Sequence, residues 1–334
     1  MNTYSTRRYP QHVEKFPGAR RGIHIILPRQ VPFNRFLLMK VINSLENTRD
    51  TPAFGPEKGV VIFVHGEFHG GWCWEEALTG PFANQGYRCI TFDLPYHERA
   101  GERADIRKAR LRDYLLTLQH VVKRVGGEPI LVGHSLGAHL IEQYLAKGPC
   151  RMAVLMTPPP PDGIWRSALR WILKPHLWKA VLTRRMRLAV STPGRAAMAL
   201  FGEGITRQQA QRYAGMLGDE SPAVLAELLW TKPPADPTGD VPVIVFGAEK
   251  DSLFSLKDLK RTAARYHCGI VVMSGMGHDM MLEPQAARLA DIMINCIETR
   301  LRIPRHQRMI TPLDRNAREQ AKRLQELRQK KRCY

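Results

Sequence analysis

The stretch PILVGHSLGAHL, residues 129–140, runs from an apolar segment through Gly133, His134, Ser135, Leu136 and Gly137 into a helical pattern. A strand that turns directly into a helix forces the corner residue into a cramped, positive-φ conformation, and neighbouring side chains would collide with it. Glycine on both flanks removes that collision and leaves one hydroxyl standing proud of the sheet edge. This is the pattern of the nucleophile elbow G-x-S-x-G, with Ser135 as candidate nucleophile. An ordinary glycine-rich turn after a strand would read the same way in isolation, so the rest of the chain must supply partners for the serine.

Apolar runs bounded by turn residues alternate with longer helical patterns, as in a parallel sheet with crossover helices. The expected strands are 59–66, 88–95, 129–135, 150–157, 241–248 and 269–275, and the expected helices are 73–85, 103–125, 136–147, 255–267 and 283–301. Residues 20–45 are read as one or two outer strands. One gap breaks the alternation: from TPPPPDG (157–163) to TKPPADPTGD (231–240) there is no strand signal, and both edges are rich in proline. Inside it, Ser221 followed by Pro222 reads as an N-cap and a helix-starting proline, and Thr206 with Gln209 as a capping box. The expected division is an α/β core of 57–157 and 238–302, a helical insertion of 158–237, a basic N-terminal extension of 1–56 and a basic tail of 303–334. An insertion after a central strand's carboxyl end is placed to roof the edge where open α/β sheets bind ligands.

A serine hydroxyl becomes a useful nucleophile when an imidazole takes its proton and a carboxylate fixes the tautomer of that imidazole. Both partners must follow strands, because strand ends converge on one edge. Asp251 follows VIVFGA and His278 follows VVMSG, which gives the chain order Ser135, Asp251, His278. Glu249 and Asp162 are rival carboxylates, and Asp279 is expected to cap the final helix. The oxyanion formed by serine attack needs two backbone donors. Leu136 supplies one at the start of a helix, where N–H groups are unpaired. Glu67, in the loop VHGEFHGGWCW, supplies the second, with Phe68 as the alternative. The Glu67 carboxyl is expected to point away from the site, because it would oppose a developing oxyanion. His65 is expected to be a scaffold hydrogen-bonding group.

The chain has 334 residues, 44% of them hydrophobic, and a net charge of +19. That charge is peripheral: residues 1–40 carry +7, residues 163–195 carry +8 and residues 300–334 carry +9, so everything else totals −5. Such basic segments suit an anionic membrane surface or nucleic acid, or serve as solvated faces. No apolar run matches a membrane span or a signal peptide, from which a cytoplasmic protein, peripheral to a membrane where the basic segments engage one, is expected. The six cysteines lack ligand spacing, so reduced thiols are expected and no metal or disulfide framework is indicated.

The strand-His-Gly loop, the Gly-His-Ser-Leu-Gly corner, the strand-end Asp251 and the Gly-His278 turn together resemble the α/β-hydrolase superfamily, in particular its capped esterase, lipase and thioesterase-like members. HGEFHGGWCW is similar to the oxyanion loop of plant methylesterases and hydroxynitrile lyases, and GMGHDMMLEP is similar to bacterial lysophospholipase-like hydrolases. The resemblance covers about residues 57–302, and the sequence departs from it at DLPYHERAGE, where Pro95, Tyr96 and Glu98 replace glycines that many relatives carry. It implies an α/β-hydrolase fold with a mostly parallel sheet and a helical cap. It also implies a serine hydrolase for a carboxylic ester or thioester with an apolar acyl part, needing no cofactor. The expected substrate pocket comprises Phe68, His134, Trp165, Trp178 and Met280. Acyl transfer or hydroxynitrile-lyase-like chemistry at the same site is the second reading. A non-catalytic protein that uses its basic ends on anionic membrane or nucleic acid is the third.

Overall fold

Segments that are apolar at every position are at ease only where both faces of a sheet are covered. Three such segments form the middle of this structure: β6 (Ile130–His134), β7 (Met152–Met156) and β8 (Val243–Ala248) are buried along their whole length. The computed structural model describes residues 12–14, 25–27, 44–97, 106–171, 175–234 and 241–302. Within it, β3 (Arg49–Thr51), β4 (Gly59–Val64), β5 (Tyr87–Thr91), β6, β7, β8 and β9 (Ile270–Met273) make one seven-stranded sheet in the order β3-β5-β4-β6-β7-β8-β9. Every neighbouring pair is parallel except β3 with β5.

The helices are α1 (Trp72–Glu75), α2 (Thr79–Asn84), α3 (Leu111–Val125), α4 (Leu136–Leu145), α5 (Trp165–Trp171), α6 (Pro175–Thr183), α7 (Pro193–Leu200), α8 (Arg207–Met216), α9 (Pro222–Trp230), α10 (Leu256–Arg265) and α11 (Ala286–Arg302). Alternation along β4 shows how they make two layers. Val61 and Phe63 pack with Trp74, Phe82, Met293 and Ile297 from α1, α2 and α11. Ile62 and Val64 face Tyr114, Leu118, Leu140 and Ile141 from α3 and α4.

Two differences from the sequence reading have simple causes. The helix expected over 73–85 is split into α1 and α2, and Gly80 and Pro81 stand in the first turn of α2. The helix expected from 103 begins at Leu111, where the extended Arg110 N–H donates to the Asp113 carboxylate; a short 3₁₀ turn, Ile106–Lys108, precedes it. The outer strand expected within 20–45 does not join the main sheet. Ile25–Leu27 (β2) pairs antiparallel with His12–Glu14 (β1) in a ladder of its own, and the sheet is completed instead by the three residues of β3. The 303–334 tail lies outside the described residues.

Between β7 and β8 the described residues contain five helices, α5 to α9, and no strand. Their caps follow the sequence: Ser221 Oγ accepts from the N–H groups of Ala223 and Val224, and Thr206 and Gln209 bond reciprocally. This insertion is stitched to the loop after β9. The Glu283 carboxylate accepts from Gly202 N at 2.8 Å and Gly277 N at 2.6 Å, and Asp279 N donates to Leu200 O at 2.8 Å. Gly202 and Gly277 lie backbone to backbone, with no room for a Cβ on either.

The same kind of close approach fixes the start of α4. A Cβ on Gly137 would overlap the carbonyl groups of Val64 and His65. We expect Gly137→Ala to destabilise the protein by about 1–3 kcal/mol in urea unfolding, the usual cost of overpacking. Gly215, inside α8 with open space around it, is the control. There alanine is expected to be neutral or to add up to about 1 kcal/mol, by lowering the entropy of the unfolded chain.

Candidate active site

Strand order reverses at β4, which lies between β5 and β6, and ligands bind at such a switch point beyond the carboxyl ends of the strands. The corner after β6 is there. Ser135 has φ 51° and ψ −118°, and its N–H is held by Met156 O at 3.0 Å. A Cβ on Gly133 would lie 2.6 Å from Gly137 O, so the flanking glycines are required by the turn itself. Leu136 opens α4, where the first N–H groups have no intrahelical partner and can meet an anion.

The loops after β8 and β9 bring two further groups. His278 Nδ1 lies 3.0 Å from Asp251 Oδ2, and Asp251 Oδ1 accepts from the N–H groups of Leu253 at 2.8 Å and Phe254 at 3.0 Å. An ionised carboxylate only accepts, so Nδ1 carries the ring proton and Nε2 is left with a lone pair. Burial opposes an imidazolium here, but Asp251, by its charge and its hydrogen bond, and Asp279 outweigh it and hold His278 above the ordinary histidine value. The rival carboxylates are engaged elsewhere: Glu249 accepts from Ser274 and Gly275, and Asp162 pairs with Arg166 and Arg261. The N-cap of α10 is Ser255, not Asp251.

One sequence expectation is reversed. The Glu67 carboxyl points into the site, and Ser135 Oγ donates to its Oε2 at 3.0 Å. Among the described residues this is the bond the serine hydroxyl makes; none joins it to His278. Phe68, the next residue, takes φ 65°. His65 is the scaffold group expected, its Nδ1 donating to Gly66 O and its Nε2 accepting from Leu94 N, each at 2.9 Å.

Glu67, Ser135 and His278 all open onto one cavity of about 660 Å³. Apart from the loop residues its walls are almost wholly apolar and come from the β7–β8 insertion, with Val190, Met198, Leu225 and Leu229 among them. Of the expected pocket residues Phe68, His134 and Trp178 line it. Trp165 does not: its indole stacks at 6.3 Å on Trp230, away from the cavity. Met280 does not either, since the turn after His278 directs it into the hydrophobic core, where it is fully buried.

The model of the alpha/beta hydrolase family matches residues 61–292, well over half of the chain. The chain belongs to the alpha/beta hydrolase family. No curated protein matches it by sequence. Among solved structures it is similar to an esterase from Exiguobacterium antarcticum, at 14% identity and a TM-score of 0.61, over 75% of this chain and 94% of that one. A thermophilic esterase from Thermogutta terrifontis gives 16% and 0.55 over 75% and 92%, and a monoacylglycerol lipase from Paleococcus ferrophilus gives 16% and 0.54 over 75% and 98%. At these identities the likeness is one of fold.

This alpha/beta hydrolase also carries a buried cluster that sequence reading missed. Asp279, expected to cap the last helix, instead lies 3.0 Å from His69 Nε2 and 3.5 Å from His134 Nε2, while α11 begins only at Ala286. Two histidines and a carboxylate could hold a metal, their ligand atoms lying within 4.8 Å of one another. The donor set argues otherwise: His134 Nε2 lies 3.0 Å from His278 O, so it carries a proton and has no lone pair to offer. Burial drives His134 down to about 3, which keeps it neutral. His69 Nδ1 lies 2.6 Å from Glu67 O and its Nε2 3.0 Å from Asp279. The cluster ties the loop after β4 to the loop after β9.

Burial alone would raise Asp279, but the charge of His69 and its hydrogen bond, with His134 and His278 beyond, bring it below the ordinary carboxylate value of 3.8. A carboxylate with a lowered folded pKa stabilises above its unfolded pKa, and that contribution is lost as the pH falls through the folded value. Asp279→Asn removes the carboxylate from beside His69 and is expected to cost about 1–3 kcal/mol at pH 7 in urea unfolding. The gap between the two proteins should close as the pH falls below 3.8.

Proposed function

We propose that this chain is a serine hydrolase of carboxylic esters or thioesters with an apolar acyl part. The observation that carries the reading is the Nδ1–Asp251 bond, which leaves His278 Nε2 as a free base in the cavity where Ser135 stands on a strained corner. A turn of the Ser135 side chain, one staggered well from the next, moves its hydroxyl from Glu67 towards that base. Ser135 Oγ then attacks the carbonyl carbon, and its proton passes to Nε2. Asp251 stabilises the imidazolium, and the main-chain N–H groups of Leu136 and Glu67 receive the oxyanion. His278 returns the proton to the leaving group, and the acyl-enzyme is released by a water that the same histidine activates.

The apolar walls support an alkyl or aryl acyl group and a small-molecule or lipid-like ester, and the esterase and lipase among the similar structures agree with it. Hydroxynitrile-lyase-like chemistry is disfavoured, since it must stabilise cyanide beside the carboxylate of Asp279. Acyl transfer shares the acyl-enzyme and differs only in the acceptor.

The insertion supports peripheral contact with anionic membrane. Leu169, Trp178, Val181, Leu182 and Met198 are exposed on it, and residues 163–195 contain no acid. No helix among the described residues is long and apolar enough to cross a membrane.

A fluorophosphonate probe is expected to label the wild type and not Ser135→Ala, which should also abolish turnover of p-nitrophenyl esters. Asp251→Asn should lower kcat by up to about 10⁴-fold, because it leaves His278 in the wrong tautomer. Turnover should rise with pH through a value above 6.5, as His278 loses its proton. Trp178→Ala should shift the preferred acyl chain length more than it alters kcat on a short ester. Cosedimentation with anionic vesicles should be strong at low salt and weak at high salt, and deletion of 303–334 should lessen it while leaving hydrolysis of soluble esters intact.

A further inference from the structure

In the reaction just described Glu67 contributes only its main-chain N–H, yet its carboxyl is the group to which the nucleophile is bonded, 3.0 Å from Ser135 Oγ. The serine hydroxyl turns from Glu67 to His278 before it attacks, and the position it vacates beside the Glu67 carboxyl is open to the carbonyl oxygen once the carbonyl carbon has joined Oγ. A carboxylate there would repel the oxyanion. A carboxylic acid would donate to it.

The surroundings favour the acid. The titratable groups facing Glu67 are Glu220, Tyr114 and His278. Glu220 is built to hold the negative charge: it accepts from Tyr114 Oη at 2.8 Å and Ser221 N at 2.6 Å, and lies 3.2 Å from His97 Nε2. Of the two neighbouring carboxyls, Glu67 lacks such a cradle. Burial and the Glu220 charge push it up, against the smaller pull of its own N–H, of His278 and of the Ser135 hydroxyl.

We propose that the Glu67 side chain is a catalytic residue, a neutral carboxylic acid whose O–H hydrogen-bonds the carbonyl oxygen as that oxygen becomes an oxyanion. It is a third donor, beside the main-chain N–H groups of Glu67 and Leu136, and it rests on reading Ser135 as the nucleophile of an ester hydrolase. When Oγ bonds to the carbonyl carbon, the serine proton goes to His278 Nε2 and the carbonyl π pair moves onto oxygen. Glu67 shares its proton with that oxygen without surrendering it. On collapse the pair returns, the bond to the leaving group breaks, the leaving oxygen takes the proton from His278, and Glu67 is again a neutral acid.

The test is the pH dependence of kcat/KM for wild type, Glu67→Gln and Glu67→Ala on a p-nitrophenyl ester and an ethyl ester of one short acid. Wild type is expected to lose activity on the alkaline side as Glu67 ionises. Glu67→Gln, which keeps an N–H donor and cannot ionise, should lack that falling limb. Glu67→Ala should lack it too and lie about 100-fold below Glu67→Gln on both esters, the cost of one oxyanion donor. An alanine variant as fast as the glutamine variant, a falling limb that survives both substitutions, or a loss confined to the ethyl ester would overturn the proposal; the last would move the carboxyl to the leaving group. Infrared difference spectra at neutral pH give a readout independent of rate: subtracting Glu67→Gln from wild type should leave the carbonyl stretch of one protonated carboxyl, and a difference spectrum without it overturns the proposal. Fluorophosphonate labelling separates this failure from that of the underlying reading. A wild type that is labelled at Ser135 but lacks the limb and the stretch overturns the role of Glu67 alone, whereas ester turnover that survives Ser135→Ala overturns both.

Discussion

The site depends on one close approach of backbone to backbone. Gly137, in the first turn of α4, lies against the carbonyl groups of Val64 and His65 at the end of β4, leaving no space for a side chain. This contact draws the corner after β6 onto the loop after β4, and it is why the chain enters the helix through a serine with φ 51°. The hydroxyl, the first N–H groups of α4 and the Glu67 loop then share one small volume. Backbone strain at Ser135 is tolerated because the flanking ladder, with Ser135 N on Met156 O, overdetermines the turn.

Most of the architecture was legible because buried parallel strands are largely apolar, and β4, β7 and β8, apolar along their whole length, have few other interpretations. Asp251 and His278 were legible for a related reason, since each follows such a strand in the order that a serine requires. The edge strand β3 was not legible. Its three residues, Arg-Asp-Thr, carry no apolar alternation, and its place is set by the ladder with β5 and the pairing of Asp50 with Arg88. Residue type gives no direction for a loop side chain. Electrostatics alone turns the Glu67 carboxyl away from the site, whereas in the structure it accepts from the Ser135 hydroxyl. Asp279 and His69 each have an adequate local reading, and only the meeting of two distant loops brings them within 3.0 Å. Trp165 was misplaced because an aromatic on an inserted helix can face a cavity or another aromatic, and Trp230 was there to receive it.

Charge within the site is arranged in layers. Asp251 fixes the tautomer of His278 from one side, and Asp279, 3.0 Å from His69, stabilises its protonated form from another. Glu220 is held by His97 and Tyr114. The histidine is thereby surrounded by acids that differ in how far each is engaged by other groups, which holds its proton affinity high.

The stitching of the β7–β8 insertion to the loop after β9 has a consequence for how this protein can diversify. Glu283 receives N–H groups from Gly202 of the insertion and Gly277 of the histidine loop through a single oxygen, and the two glycines have no clearance between them. The insertion is therefore not an interchangeable module: exchanging it for that of another hydrolase would sever the support of His278 unless a glycine and its N–H arrive in the same place. Changes of specificity by recombination are constrained at this seam, whereas point changes on the cavity-facing surfaces of α7 and α9 leave it untouched. The cavity walls can drift residue by residue while the joint that carries His278 stays fixed.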